Sequence, residues 1–272
     1  MPSVNKQEAF FFSFEPMVLT DTHTHLYYEA DEVLRNAMMQ RCLDNQITRL
    51  FLPNVDAASV PMVADLVKSY PQNCFPMLGL HPCSVTKNWE TELQTIKELW
   101  NNNQRIYAVG EIGIDLYWEQ SLLAEQQEAF RAQIKWAKEA NLPIVIHCRA
   151  AFNEVFSMLK EEHDEKLRGI FHCFSGTLEQ ANQIIELGFY LGIGGVVTYK
   201  NAGLDKVVQQ ISPEYLVLET DSPYLPPVPF RGKPNESAYL TYIAQKVADL
   251  HQQPVEKIAE TTTLNSEKIF KI

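Results

Sequence analysis

The sequence predicts an α/β protein, a (β/α)8 TIM-type barrel with its active site at the C-terminal ends of the strands. Three observations predict it. About eight short apolar runs alternate with amphipathic stretches at the spacing of βα units. Runs such as Ile144-Val145-Ile146 are apolar without alternation, which suits a parallel sheet covered on both faces. Five of the seven histidines fall where these runs end, the edge at which a barrel carries its chemistry. A doubly wound open sheet is the alternative that alternation alone allows.

Taken in order, strands are expected near 18–21, 49–53, 75–80, 106–111, 143–147, 169–172, 189–192 and 215–219. Between them, helices are expected near 31–45, 58–69, 90–101, 122–140, 151–163, 178–187, 201–210 and 237–250. The helix at 31–45 would bury Val33, Ala37, Met38 and Cys42 on one stripe, and that at 122–140 Ala129, Ile134, Trp136 and Ala137. Residues 254–272 read as a closing helix pair on the outside. With no linker or composition break, one domain is expected over 17–272. Residues 1–16 form an N-terminal extension whose Ala9-Phe10-Phe11-Phe12 cluster reads as an early strand tucked on the body, and not as an export signal.

The bulk numbers narrow the partners. A hydrophobic fraction of 46% with 21% charged residues is that of a soluble globular protein. No run approaches the roughly 18 apolar residues of a membrane span. Five scattered cysteines without a CxxC pair fit reduced thiols in a cytoplasm. A net charge of −11 counts against a broad grip on duplex phosphates, because counterion release rewards basic proteins. It leaves open a pocket that handles a single phosphate with metal ions.

The polar residues at the strand ends carry the chemistry. His23 and His25 close the first strand on alternate positions, so a period of two puts both imidazoles on one face. Taken alone, the pair could be a polar strand end. The other ends add Gly79-Leu80-His81-Pro82, Gly110-Glu111-Ile112-Gly113-Ile114-Asp115, His147-Cys148-Arg149, His172-Cys173-Phe174-Ser175-Gly176 and Glu219-Thr220-Asp221-Ser222-Pro223. Convergence of imidazoles and carboxylates on one barrel face points to a metal centre. His163 and His251 lie in polar helical stretches and read as structural.

This ordered set, together with Thr22-His23-Thr24-His25 and Pro229-Phe230-Arg231-Gly232-Lys233-Pro234-Asn235-Glu236, resembles the TatD family of metal-dependent deoxyribonucleases, a branch of the amidohydrolase-like barrels. The resemblance runs from about residue 18 to the C-terminus. It implies that His23, His25, Glu111 and Asp221 hold one divalent cation, and that His147 and His172 hold a second bridged by Glu111. Asp221 would be the general base for the attacking water, with Glu111 as its catalytic partner and Glu219 orienting a ligand imidazole. His81, Arg149 and Arg231 are candidate phosphate contacts, and Asn235 would fix the loop that carries Arg231. For Arg231 a loop salt bridge is the plain alternative. Tyr117, Trp118, Phe174 and Tyr224 follow the metal motifs and could stack a terminal base or simply pack.

Two positions depart from the family pattern: Ala150 stands where many relatives carry an acidic residue, and Ser237 where many carry proline. Neither is a proposed ligand. With Glu111 at the bridge, no modified lysine is expected.

The expected activity is therefore hydrolysis of DNA phosphodiesters, exonucleolytic on single-stranded or frayed ends, using two divalent ions (Zn, Mn, Co or Mg). The imidazole-rich set suits the first three, while the family resemblance implies magnesium. The alternatives are hydrolysis of a D-aminoacyl-tRNA ester, an amide or a lactone on the same metals, or a non-catalytic binding barrel. DNA is the expected partner, with no membrane and no protein partner indicated.

Overall fold

The computed structural model describes residues 18–100 and 105–272. Its strands are β1 (Leu19–Asp21), β2 (Ile47–Pro53), β3 (Cys74–Leu78), β4 (Ala108–Asp115), β5 (Ile144–Arg149), β6 (Gly169–Phe171), β7 (Tyr190–Ile193) and β8 (Leu216–Leu218). Its helices are α1 (Glu32–Asp44), α2 (Val60–Ser69), α3 (Trp89–Leu99), α4 (Leu123–Ala140), α5 (Phe152–Glu161), α6 (Leu178–Glu186), α7 (Leu204–Val208), α8 (Leu240–His251) and α9 (Val255–Phe270). The strands pair in parallel and in sequence order from β1 to β8. The expected N-terminal extension lies outside the described residues.

Beyond the end of the eight-stranded ladder, the last seam closes through single contacts. Thr22 donates from its backbone to Leu218 O (3.0 Å), Asp221 to His23 O (2.9 Å), and Thr24 forms a parallel bridge with Ser222. Asp21 reinforces the seam, its carboxylate accepting from the Thr220 backbone (2.9 Å) and hydroxyl (2.6 Å). Burial pushes that carboxyl up to about 7 against these bonds and those from Ser237 and His23. The seam thus fixes the two segments that carry His23, His25 and Asp221.

Several expectations change. The fourth strand runs on to Asp115, and its pairing with β5 slips between Gly110 and Ile112, so Glu111 is the extra residue of a bulge within the strand. A bulge re-aims a side chain, here into the barrel mouth. Gly110 permits it, because a Cβ there would come 2.7 Å from Val145 Cβ. In α1 the expected stripe holds in its second half, where Cys42 is buried and Met38 packs against the core, but not in its first, where Val33 is 78% exposed and Ala37 is exposed; Met39 is buried as well. In α4, Gln126, Phe130 and Gln133 join Ala129, Ile134 and Ala137 in the core, while Trp136 is only partly buried.

Residues 254–272 form one helix, not a pair, and its end is not on the outside. Ile269 and Phe270 pack with Phe51, Met77, Val145, Ile170 and Val217 inside the barrel, with Phe270 stacked on Phe51 at 3.7 Å. The Arg105 guanidinium donates to Phe270 O and Lys271 O, pinning this plug at the N-terminal end of the strands. The core is therefore sealed below and polar above. Among the described residues no helix is long and apolar enough to cross a membrane.

Candidate metal centre

Two groups of ligand atoms converge on Glu111, one on each of its oxygens. Oε2 lies 3.2 Å from His23 Nε2 and 3.8 Å from His25 Nε2. Oε1 lies 2.8 Å from His147 Nδ1, 3.4 Å from His81 Nε2 and 3.5 Å from His172 Nε2. Asp221 Oδ1 closes the first group at 3.5 Å from His25 Nε2 and 3.8 Å from His23 Nε2. His172 stands between the groups, its ring stacked on His23 at 3.6 Å. All the expected metal residues therefore meet in one place.

The outer nitrogen of each imidazole sets what the inner one offers, since neutral histidine has one donor and one acceptor. His25 Nδ1 lies 2.8 Å from the Tyr27 hydroxyl, whose own proton goes to Pro53 O at 2.6 Å. The hydroxyl must accept, which leaves a lone pair on His25 Nε2. His147 Nε2 faces Asp115 Oδ2 at 2.8 Å, and His172 Nδ1 lies 2.9 Å from Glu219 Oε1. His172 and Glu219 face each other at ion-pair distance, whereas at His147 the carboxylate holds the outer N–H and turns a lone pair inward. His81 is the reverse. Its Nδ1 accepts from Cys83 N at 3.0 Å, so its Nε2 points an N–H toward Glu111.

These donors fit divalent cations. The Nε2 atoms of His23 and His25 approach to 3.3 Å with two carboxylates beside them, a cluster of lone pairs that a cation would reconcile. Burial opposes ionisation of Glu111, but His81, His23 and His172 and the close contact with His147 hold its carboxyl well below the usual range. Asp221 is likewise lowered against burial, by its contact with His25 and by His172 and His23. Burial lowers His23. His172 instead rises to about 10, because Glu219 and Glu111 outweigh its burial. The field of the centre favours positive charge.

Glu219 also accepts from Cys173 N at 2.6 Å, and Gly192 makes room for it, since a Cβ there would come within 2.3 Å of Oε2. Asn235 is buried and donates to Thr220 O (2.7 Å) and Tyr224 O (2.6 Å), so it clamps the turn that carries Asp221.

At the rim, the Arg149 guanidinium lies 4.2 Å from the Tyr117 ring centroid, and that of Arg231 lies 4.3 Å from the Tyr199 ring. Among the described residues neither has a carboxylate partner. Of the four rim aromatics, Tyr117, Trp118 and Tyr224 are exposed, whereas Phe174 is buried.

Sequence reasoning gave Asp115 and Tyr27 no role. Asp115 could have been found, because it stands four residues after Glu111 on the same strand and so shares its face. Tyr27 could not, since it follows a break from the strand into a short 3-10 turn.

Comparison with known proteins places the chain among metal-dependent hydrolases. Residues 20–271 match the family described as TatD related DNase. The chain is 39% identical over 256 residues to the uncharacterized metal-dependent hydrolase YabD of Bacillus subtilis, covering 94% of this chain and 100% of that protein. The crystal structure of the TatD homologue YjjV from Escherichia coli superposes with a TM-score of 0.86 at 28% identity, over 93% of this chain and 98% of that one. A lactonase from Listeria monocytogenes shares the fold alone, with a TM-score of 0.68 at 14% identity over 93% and 94% of the two chains.

Proposed function

Since the chain belongs to the TatD-related DNase family of metal-dependent hydrolases, we propose that it cleaves DNA phosphodiesters, removing nucleotides from single-stranded or frayed ends. The observation that carries the phosphate assignment is the state of its arginines. Six of the eight donate to a carboxylate or carbonyl: Arg35, Arg41, Arg49, Arg105, Arg131 and Arg168. Arg149 and Arg231 have no such partner among the described residues, and both stand on the rim of the centre, packed on aromatic faces. In a chain of net charge −11, two guanidiniums left uncompensated there are fitted to an anionic substrate.

His23, His25, Glu111 and Asp221 would hold one cation, and Glu111, His147 and His172 a second. When bound, such a pair supplies Lewis-acid polarisation of the phosphoryl oxygen and a water of lowered pKa. The chain does the rest. Arg149 and Arg231 hold the phosphate, and the inward N–H of His81 donates to one of its oxygens. Asp221, its Oδ1 engaged by His25 and His23, takes the water's proton on Oδ2. The water oxygen bonds to phosphorus as the P–O bond to the leaving nucleotide breaks, and that oxygen leaves with a proton from solvent.

The test is hydrolysis of a 3′-labelled single strand by purified, metal-loaded protein, beside a D-aminoacyl-tRNA and a small lactone. Metal-polarised carbonyls need similar machinery, so preference for either of the last two would replace the phosphodiester reading. Glu111→Gln and Asp221→Asn should each lower bound metal and cut hydrolysis by at least about 100-fold, more than is usual for loss of an outer partner. Unchanged metal content and rate in both would remove this site from consideration.

A further inference from the structure

Trp118 and Tyr117, in the loop after β4, are 68% and 58% exposed. Such exposure of two large aromatic side chains side by side is unusual for a folded surface. Their segment is nonetheless held firmly. Asp115 Oδ1 accepts from the backbone N–H groups of Tyr117 (2.9 Å) and Trp118 (2.8 Å). The other oxygen of the same carboxylate faces His147, which faces Glu111 in turn. Arg149, two residues beyond His147, lies 4.2 Å from the Tyr117 ring and 5.4 Å from the Trp118 ring. The two rings stand perpendicular, with centroids 4.8 Å apart. The pair is therefore held through its backbone by Asp115, which faces His147 of the candidate metal centre, and through its rings by Arg149.

We propose that Tyr117 and Trp118, braced by Asp115 and Arg149, form a stacking platform for a nucleobase next to the phosphate being cleaved. This rests on the phosphodiester reading above. An acidic chain with only two uncompensated rim arginines gains little affinity from backbone charge, so a single strand must be held through its bases. Stacking suits that role because every base has a π-face and no sequence need be read. The braced rings lose little freedom on binding, and Arg149 supplies both a cation against the rings and a contact for the adjoining phosphate.

The experiment measures binding of the metal-loaded full chain to a dT8 strand with uncleavable phosphorothioate linkages, and to the same strand with abasic residues throughout. The expected result is about tenfold or tighter binding of dT8. Trp118→Ala should remove most of that preference by weakening dT8 alone, and Trp118→Phe should restore much of it. Equal binding of the two strands by the native chain, or equal weakening of both by Trp118→Ala, would overturn the platform. Cleavage of DNA alongside base-indifferent binding rejects the platform and leaves the phosphodiester reading standing. Failure to bind or cleave DNA at all rejects both.

Discussion

Asp115 offers the sharpest check on how the centre is held together, because one buried carboxylate serves three neighbours. It accepts from Tyr117 N and Trp118 N with one oxygen and faces His147 Nε2 at 2.8 Å with the other. Burial works against its ionisation, yet the hydrogen bond from His147 and those from Trp118 and Tyr117 hold the carboxyl at about 2, against an ordinary 3.8. At about 1.4 kcal/mol per pH unit, that difference is about 2 kcal/mol of native stability in the metal-free protein at neutral pH. Asp115→Ala should therefore lower the melting temperature by roughly 4–8 °C for a chain of this size, read in chelator at one fixed scan rate. Asp115→Asn should lose less, since its amide oxygen still accepts from the two N–H groups, although its NH2 cannot accept from His147. The sign of the pH dependence follows. A depressed carboxyl contributes fully above 3.8 and loses its contribution as pH falls through about 2, so the gap between native and variant must narrow in acid. In the metal-loaded protein, affinity for the cation should fall 10- to 100-fold, because His147 loses the partner that fixes its tautomer. An Asp115→Ala melt within about 1 °C of the native chain at neutral pH would refute this reasoning.

Three further outcomes are expected. Arg231→Ala should weaken DNA binding about equally for all sequences and lower the salt dependence of log Kd by about one, measured by titration at several salt concentrations; a sequence-selective loss would contradict its role at a phosphate. His172 is raised to about 10 chiefly by Glu219 and Glu111 against its burial, so in the metal-free protein its stabilising proton is fully present below 6.5 and lost as pH rises through about 10. Cation uptake near neutral pH should accordingly release a proton, seen as buffer-dependent binding heats in calorimetry, and identical heats in buffers of different ionisation enthalpy would exclude it. Of the five cysteines Cys83 alone is exposed, while burial pushes Cys74 and Cys148 up to about 12 and raises Cys42 and Cys173 further. A thiol reagent at mild pH should modify one equivalent rapidly, and a second fast equivalent would argue against this packing.

What the sequence made legible was the placement of residues along strands, because a parallel barrel turns strand ends into one shared surface. His23, His25, His147, His172 and Asp221 could be gathered on that ground alone. The sequence places Glu111 at a strand end and the structure places it within β4, since nothing in Gly110-Glu111-Ile112-Gly113 announces that the β4–β5 register slips there. The first half of the α1 stripe, Val33 and Ala37, is exposed for a related reason: periodicity reports which residues share a face, not whether a neighbour lies beneath it. The histidines show the deeper limit. Position at a strand end does not distinguish His81 from His147, and in space their rings are 4.5 Å apart beside the same carboxylate oxygen. What separates them is the far side of each ring, where Asp115 accepts from one and the Cys83 N–H donates to the other. One imidazole therefore turns a lone pair to the centre and the other a proton. On this chemistry His147 is fitted to a cation and His81 to a phosphoryl oxygen, and the hydrogen bonds of the folded chain give a physical reason for the division of roles that the resemblance implies.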